Sequence, residues 1–215
     1  MPLASDNPVY IGVYHTARWF SNLLGRVDVS GLQNVPSGGC IIACNHQSFL
    51  DPPLVGSALQ KETFFFARKT LFNNPILGYI LRTCNTIPVD RDGGSDVAAF
   101  KKVFSVLKNG HSLLMFPEGT RSKDGRLQEA QAGIGLIACK TRVPVVPVRV
   151  FGAASLLPRG HFLPHPGARI SVRFSPALSV EEFDPGTGHP ERFLEASRRI
   201  MRVIAATREA PDFVA

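Results

Sequence analysis

The sequence has no run of about 18 consecutive apolar residues, the length that a helix needs to cross a bilayer. It also lacks a secretory signal, because Asp6 and Pro8 precede a segment that is only partly apolar and has no small-residue cleavage site. We therefore expect neither a membrane-spanning helix nor secretion. A protein of this kind has to act on lipids, if it does so, from the membrane surface.

Cysteine is scarce, with 4 residues in 215, and the spacing is not that of a disulfide-stapled secreted domain. All four cysteines lie in apolar runs, so we expect reduced, buried thiols and a cytoplasmic setting. Cys40, Cys44 and His46 share one face of a predicted strand, but ligands along a single strand rarely form a tetrahedral metal site. We therefore predict no metal and no cofactor.

Acidic residues are fewer than basic ones, 17 against 24, which gives a net charge of +7 and a pI near 9.6. This balance favours anionic partners: nucleic acid, an anionic lipid surface or a phosphorylated substrate. The basic residues are interleaved with acidic and apolar ones, and the sequence shows no RNA-binding, zinc-finger or basic-helix pattern. We therefore expect no nucleic-acid partner.

The motifs of several common enzymes are also absent from the sequence. There is no G-x-S-x-G nucleophile elbow, no G-x-x-x-x-G-K-[ST] phosphate loop and no H-E-x-x-H zinc motif. These absences argue against a serine hydrolase of the elbow type, a P-loop nucleotidase and a zinc protease.

What the sequence does contain is an alternation of short apolar runs with segments of helical periodicity. Runs typical of strands buried on both faces occupy residues 40–44, 63–67, 86–89, 113–116, 145–150 and 169–174. Helical patterns occupy residues 51–59, 95–109 and 131–140, and an amphipathic helix follows the last strand. This order predicts an α/β fold with a mostly parallel central sheet flanked by helices.

An N-terminal amphipathic helix is predicted over residues 9–24. One stripe at helical spacing holds Val9, Val13, Ala17, Phe20 and Leu24. Tyr10, Tyr14 and Trp19 add interfacial aromatic side chains, which favours a membrane-surface anchor, while a helix docked on the domain fits the same pattern. We divide the chain into a membrane-associating helix at 1–26 and one main domain at 27–215.

His46 and Asp51 follow the predicted strand 40–44, at the end of the strand where α/β proteins carry functional loops. A histidine can accept a proton from a hydroxyl near neutral pH, and a nearby carboxylate can fix its tautomer and stabilise the imidazolium. A structural alternative is that His46 closes a turn while Asp51 caps the helix that Pro52 opens. The pair alone leaves both interpretations open.

A second polar segment, residues 116–122, follows the predicted strand 113–116. Gly119 permits an unusual backbone angle, Thr120 offers a hydroxyl and Arg121 supplies a guanidinium that suits phosphate or carboxylate. The alternative is an ordinary surface turn with an ion pair. Arg91, after the predicted strand 86–89, is a third strand-end residue that can converge on the same edge of the sheet.

Taken in order, these segments resemble the glycerolipid acyltransferase superfamily, the PlsC-type 1-acylglycerol-3-phosphate acyltransferases. NHQSFLD at 45–51 looks like the N-H-x-x-x-x-D block of that family, and three further blocks are similar to IPVDR at 87–91, FPEGTRS at 116–122 and VPVVPV at 143–148. Where the family commonly has glycine, this chain has Asn85, and asparagine tolerates the left-handed backbone angles of such a position.

The resemblance implies a role for each of the matching residues. His46 would be the general base, and Asp51 would orient it. Recognition of the acceptor phosphate would fall to Arg91, Glu118, Gly119, Thr120 and Arg121. Contacts to the acyl chain or the donor would come from Val146 and Pro147. Backbone amides near Ser48 are our candidates for stabilising the oxyanion.

The activity that the resemblance implies is transfer of a fatty acyl group to the hydroxyl of a lysophospholipid. The acceptor would be 1-acylglycerol 3-phosphate, the product phosphatidic acid and the donor acyl-CoA or acyl carrier protein, with the enzyme bound peripherally or monotopically at the cytoplasmic face of a membrane. The alternatives are an acyltransferase that uses glycerol 3-phosphate or another lysolipid, a thioesterase-like hydrolase, and a non-catalytic lipid-binding module.

Overall fold

A computed structural model of the chain describes residues 5–90, 97–161 and 163–209. In that part of the chain seven strands form one sheet: β1 (Gly25–Ser30), β2 (Ile41–Cys44), β3 (Thr63–Arg68), β4 (Thr86–Val89), β5 (Ser112–Met115), β6 (Val145–Phe151) and β7 (Ala168–Phe174). The α-helices are α1 (Pro8–Leu24), α2 (Asp51–Ala58), α3 (Pro75–Thr83), α4 (Val97–Lys108), α5 (Ala132–Thr141), α6 (Ala153–Leu156), α7 (Val180–Phe183) and α8 (Arg192–Ala206). Short 3₁₀ helices occupy Leu32–Asn34 and Lys69–Asn73.

The strand order across the sheet is β1-β7-β6-β2-β5-β3-β4. Every pairing is parallel except that of β6 with β7, which is antiparallel. Strand β2 lies in the middle, with Ile41 opposite Leu113 of β5 and Val145 of β6. The predicted mostly parallel α/β fold is confirmed.

The sheet separates two apolar layers, because successive side chains of a strand point to opposite faces. Ile41, Leu113 and Val145 pack on one face against α4, α5, α7 and α8. Ile42 and Val146 pack on the other face with side chains of α2 and α6. Strands that are covered on both faces have to be apolar throughout, which is why the short apolar runs predicted them correctly.

Helix α1 is docked on the domain through two tyrosines, Tyr10 and Tyr14, which are its buried side chains. The hydroxyl of Tyr10 accepts a hydrogen bond from the backbone N–H of Thr63 at 3.1 Å, and burial raises the pKa of Tyr10 to about 12. The helix predicted over 9–24 is confirmed, and Phe20 of the predicted stripe is 40% exposed. A tyrosine can bury its ring and still supply an acceptor to the first N–H of β3, which phenylalanine cannot.

Two local details test smaller predictions. Asn85 has the left-handed backbone angle expected of it, with φ of 54°, and its side-chain amide donates to Glu62 at 3.0 Å. All four cysteines are free thiols, and three are buried as predicted, whereas Cys84 is only partly buried. Among the described residues, no helix has the length and apolarity to cross a membrane.

Candidate active site

His46 and Asp51 come together at the carboxyl end of β2. Asp51 begins α2 and is fully buried, and His46 Nδ1 lies 2.8 Å from its Oδ2. The same Oδ2 accepts the backbone N–H groups of Gln47 and Ser48 at 2.6 and 2.7 Å. The carboxylate also lies in the first turn of a helix, where the helix dipole favours a negative charge. The buried carboxylate of Asp51 is therefore held by two backbone N–H donors directly beside the imidazole.

The ring of His46 is fixed in a tautomer that leaves Nε2 able to accept a proton. An ionised carboxylate can only accept, so Nδ1 carries the hydrogen in the bond to Asp51. The ring stacks on Phe116 with centroids 3.9 Å apart and an interplanar angle of 17°. Within the described residues, no group bonds to Nε2, and 13% of the histidine side chain is exposed. A ring nitrogen held in this way meets the geometric requirement for accepting a proton from a hydroxyl.

The backbone that carries His46 is tied to two neighbouring strands. Asn45, which is fully buried, exchanges two hydrogen bonds with the backbone of Val150 in β6, at 3.0 and 2.7 Å. The carbonyl of His46 accepts the N–H of Ser122 at 2.8 Å, and its N–H donates to the carboxylate of Glu118 at 2.9 Å. The polar segment after β5 therefore contacts the histidine directly.

Residues 116–122 also border a large cavity that begins at His46. Gly119 adopts φ of 69°, the unusual backbone angle that its position suggested, and it lines the cavity together with Thr120 and Arg121. The guanidinium carbon of Arg121 lies 3.4 Å from the centroid of the Phe49 ring. Stacking of this kind fixes the plane of a guanidinium.

The cavity has a volume of about 1300 Å³ and mostly apolar walls. Helices α1, α3 and α4 and strand β3 supply the apolar side chains, among them Val13, Phe65, Ile80, Leu81, Phe100 and Val103. Cationic side chains on its lining are Arg68, Arg121 and Arg159. A space with an apolar body, a few cations and a histidine suits an amphiphilic substrate with an anionic end.

A comparison with protein families identifies the family to which the chain belongs. The profile of the family described as Acyltransferase matches residues 26–151, which is more than half of the chain. The chain belongs to the acyltransferase family. His46, Asp51 and the segment 116–122 lie inside the matched region, and so do the seven residues of β6.

Relatives of this acyltransferase in plants and bacteria share the name 1-acyl-sn-glycerol-3-phosphate acyltransferase. A chloroplastic 1-acyl-sn-glycerol-3-phosphate acyltransferase of Brassica napus is 38% identical over 152 residues, which cover 68% of this chain and 44% of that protein. A 1-acyl-sn-glycerol-3-phosphate acyltransferase of Pseudomonas aeruginosa is 28% identical over 175 residues, 79% of this chain and 66% of that protein. The chain thus spans less than half the length of the plant relative.

A solved structure shares the fold of this acyltransferase. The crystal structure of the 1-acyl-sn-glycerophosphate (LPA) acyltransferase PlsC from Thermotoga maritima superposes with a TM-score of 0.73 at 27% sequence identity. The match covers 94% of this chain and 81% of that chain. The sheet and the helices around the site therefore have a counterpart of known structure.

The other predicted site residues of this acyltransferase fall into three groups. Arg91 lies outside the described residues. Glu118 is buried, and its carboxylate bonds to the backbone of His46 and does not line the cavity. Val146 and Pro147 are buried within β6 and are not among the residues that line the cavity, so their contact with the acyl chain or the donor stays a prediction.

The predicted oxyanion donors are wrong in one respect. The backbone amides of Gln47 and Ser48 both donate to Asp51, so neither is available to an oxyanion in this acyltransferase. They are occupied because a buried carboxylate needs donors for its lone pairs, and these two N–H groups lie in the turn that leads into α2.

Two arginines of the site were not predicted from the sequence. Arg68 is the last residue of β3, so its position after an apolar run was a signal of the same kind as those that indicated Arg91 and Arg121. Arg159 lies in the loop after α6, beyond the family match, and its Nη1 donates to the carbonyl of Arg121 at 2.8 Å. No periodic pattern marks that loop, so only the fold reveals the contact.

Proposed function

We propose that this acyltransferase moves a fatty acyl group from an acyl thioester to the hydroxyl of a lysophospholipid. The observation that carries the proposal is the His46–Asp51 pair at an apolar cavity whose lining includes three arginines. The acceptor that we propose is 1-acylglycerol 3-phosphate, with phosphatidic acid as product. The names of the plant and bacterial relatives and of the Thermotoga maritima structure support this choice.

The proposed reaction is a direct transfer with His46 as the base. Nε2 takes the proton of the acceptor hydroxyl while the hydroxyl oxygen attacks the carbonyl carbon of the thioester. Asp51 stabilises the imidazolium that forms. The tetrahedral intermediate then collapses, the C–S bond breaks, and the departing thiolate of acyl-CoA or acyl carrier protein takes up the proton from Nε2. The base is thereby returned to its starting state without a covalent enzyme intermediate.

We assign the acceptor phosphate to the cations beside His46. Arg121 comes from the segment after β5 and Arg159 from the loop after α6, and the hydrogen bond between them brings the two elements together. Guanidinium groups bind phosphate through paired N–H donors, and the cavity contact of Arg68 adds a third positive charge. A phosphate held here fixes the acceptor hydroxyl relative to Nε2, which contributes to rate through orientation.

Replacing Arg159 by alanine is expected to raise the KM for lysophosphatidate about 10- to 100-fold, since a hydrogen bond to a charged group contributes roughly 1.5–3 kcal/mol. Initial rates over a range of acceptor concentration measure it. Lys123→Ala is the matched control, because Lys123 is exposed in the same region and does not line the cavity. An Arg159→Ala variant with an unchanged KM for the phosphorylated acceptor would remove Arg159 from the phosphate site.

We further propose that the outer faces of α1 and α3 bind the cytoplasmic surface of an anionic membrane. Trp19 and Leu23 of α1 are 64% and 62% exposed, and Ile76 and Tyr79 of α3 are 75% and 58% exposed. The same two helices line the cavity with other side chains. Exposed cations near α3, such as Lys69, suit anionic lipid headgroups. The acyl chain of a membrane lipid would thus have a short path into the cavity.

The double substitution Trp19→Ser and Leu23→Ser is expected to lower the partition coefficient onto vesicles that contain phosphatidylglycerol by about 10-fold or more. The reason is that burying one large apolar side chain contributes roughly 1.5–3 kcal/mol. The pair Ile76→Ser and Tyr79→Ser should act in the same direction. Co-sedimentation measures both. Leu163→Ser is the control, because Leu163 is 79% exposed but lies outside both helices. Equal losses in all three variants would contradict a defined membrane face.

The activity itself is tested with the purified protein, a panel of acceptors and both kinds of donor. Lysophosphatidate, glycerol 3-phosphate and lysophosphatidylcholine are each offered with acyl-CoA and with acyl carrier protein, and the lipid products are identified by mass spectrometry. We expect phosphatidic acid, with thioester consumption that depends on added lysophosphatidate. Thioester consumption that is independent of any acceptor would instead indicate a hydrolase, and vesicle binding without turnover a lipid-binding module.

A further inference from the structure

Glu118 lies in the segment that resembles a phosphate-binding block, yet its carboxylate does not face the cavity. Its neighbours Pro117 and Gly119 line the cavity, whereas Glu118 does not and is only 2% exposed. Its oxygens accept hydrogen bonds from the N–H of His46 at 2.9 Å and from the backbone and side-chain N–H groups of Gln128 at 3.2 and 3.0 Å. An ionised carboxylate has no donor to offer a phosphate.

Through these contacts Glu118 holds the backbone of His46, the proposed base. The N–H of His46 donates to Glu118, and the carbonyl of His46 accepts the N–H of Ser122 at 2.8 Å. One short segment therefore holds the peptide groups on both sides of the histidine Cα atom. Asp51 and the ring of Phe116 hold the imidazole itself. Glu118 and Ser122 form a backbone clamp on His46, and Asp51 and Phe116 form a clamp on its ring. Together the two clamps set the position of Nε2.

The carboxylate of Glu118 also fastens the loop that follows. Gln128 binds it through two N–H groups, and the side-chain amide of Gln128 donates in addition to the carbonyl of Thr120 at 3.1 Å. Burial raises the pKa of Glu118, while the hydrogen bonds from His46 and Gln128 act in the opposite direction. Residues 121–131 contain no helix or strand, so side-chain bonds of this kind have to order them.

We propose that Glu118 is a positioning residue, which holds His46 where Nε2 can reach the acceptor hydroxyl. Glu118 does not bind the acceptor phosphate in this proposal. The inference rests on the proposed acyl transfer, since His46 is the base of that reaction. A displacement of about 1 Å in a reacting group can lower a rate about 100-fold. The effect of losing Glu118 therefore falls mainly on kcat, and the change in the acceptor KM, which reaches the phosphate site only through the loop that begins at Arg121, is smaller.

The kinetic test compares two substitutions of the same residue. Glu118→Ala removes both carboxylate oxygens and is expected to lower kcat about 100-fold, with a change of less than about 10-fold in the KM for the acceptor substrate. Glu118→Gln has one oxygen, which can accept the N–H of His46 while its amide nitrogen faces the two N–H groups of Gln128. The bonds to Gln128 are then lost but the bond to the histidine backbone is kept, so kcat should stay within about 10-fold of wild type. Glu129→Gln, at an exposed neighbouring carboxylate, is the control and should match wild type.

Two kinetic results would overturn the inference. One is a rise in acceptor KM at unchanged kcat in Glu118→Ala, which would put the carboxylate in contact with substrate. The other is a loss of kcat in Glu118→Gln as large as in Glu118→Ala, which would mean that the bond to the histidine N–H does not matter. Because glutamine has nearly the shape of glutamate, its variant remains informative even if the alanine variant fails to fold.

A second measurement needs no enzymatic activity. Amide hydrogen exchange by NMR reports the His46 N–H directly, and Glu118→Ala should accelerate its exchange about tenfold or more, since a hydrogen bond to a charged group is lost. Glu118→Gln and Glu129→Gln should leave it close to wild type. If the variants show this pattern but the wild-type protein transfers no acyl group, the proposed function is wrong, while the role of Glu118 in holding the backbone of His46 is supported. An unchanged exchange rate in folded Glu118→Ala overturns the clamp itself.

Discussion

Replacing His46 by alanine is expected to lower kcat for acyl transfer by about 10²- to 10⁴-fold, the usual contribution of a positioned general base. The acceptor hydroxyl then has no group that can take its proton, because Nε2 was the nitrogen free to do so. Rapid-quench measurement of phosphatidic acid formation at saturating acceptor and donor gives the rate. The acceptor KM should change little, since the arginines that line the cavity remain in place.

The control for this substitution is His111→Ala. His111 is exposed and precedes β5, so it lies at the amino end of the strand whose carboxyl end carries the site. Its variant should keep the wild-type rate. A His46→Ala protein that melts cooperatively and still retains more than about a tenth of the wild-type kcat would eliminate His46 as the base.

Replacing Asp51 by asparagine is expected to lower kcat by about 10²- to 10³-fold, because the charge that stabilises the imidazolium is lost. Three N–H donors point at Oδ2, from the ring of His46 and the backbones of Gln47 and Ser48. The amide oxygen must therefore occupy the Oδ2 position, and the amide nitrogen must take the place of Oδ1. The geometry of the histidine is kept while its electrostatic support is removed.

The same substitution has a predictable effect on stability. Among the described residues, Oδ1 of Asp51 is buried and accepts no hydrogen bond, and asparagine would put an amide NH₂ donor in this position, which holds only an acceptor in the wild type. An unsatisfied buried donor costs about 1–3 kcal/mol in the free energy of unfolding, which denaturant titration measures. Asp124→Asn, at an exposed carboxylate, is the matched control. A wild-type kcat in folded Asp51→Asn would show that the charge has no part in the reaction.

The fold was predictable where burial dictates residue type. Strands β2, β5 and β6 are covered on both faces, and their unbroken apolar runs identified them. Strand β1 was missed because it is an edge strand with only Val27 and Val29 as apolar residues, directly after a helix. Half-buried edges permit polar residues, so their sequences carry a weak signal.

Helix α3 was missed because its apolar residues are divided between the outer surface, where Ile76 and Tyr79 are exposed, and the cavity wall, which Ile80 and Leu81 line. Asn74 caps its first turn by accepting the N–H groups of Ile76 and Leu77 at 3.1 and 3.0 Å, and Pro75 follows the cap. That local signal was present in the sequence. The periodicity was not that of a helix packed on a core, because Ile76 and Leu77 are exposed.

The site was predictable to the level of strand ends and no further. His46 follows β2 and Arg121 follows β5. Because these parallel strands end at the same edge of the sheet, both residues lie beside one cavity. The direction of a side chain does not follow from its place in a motif, and Glu118 is the example. Its two sequence neighbours reach the cavity, while its own carboxylate points to the backbone of the histidine.

The parallel pairing of β1 with β7 has a consequence for the order in which the protein forms. Ser30 and Arg173 pair across 143 residues of chain, so β1 cannot enter the sheet until β7 has been synthesised. At ribosomal speeds that delay is on the order of ten seconds. The residues of helix α1, which continues directly into β1 at Gly25, are synthesised before this interval. We expect the exposed aromatic end of α1 to meet a membrane or a chaperone before β1 pairs with β7 at the edge of the sheet.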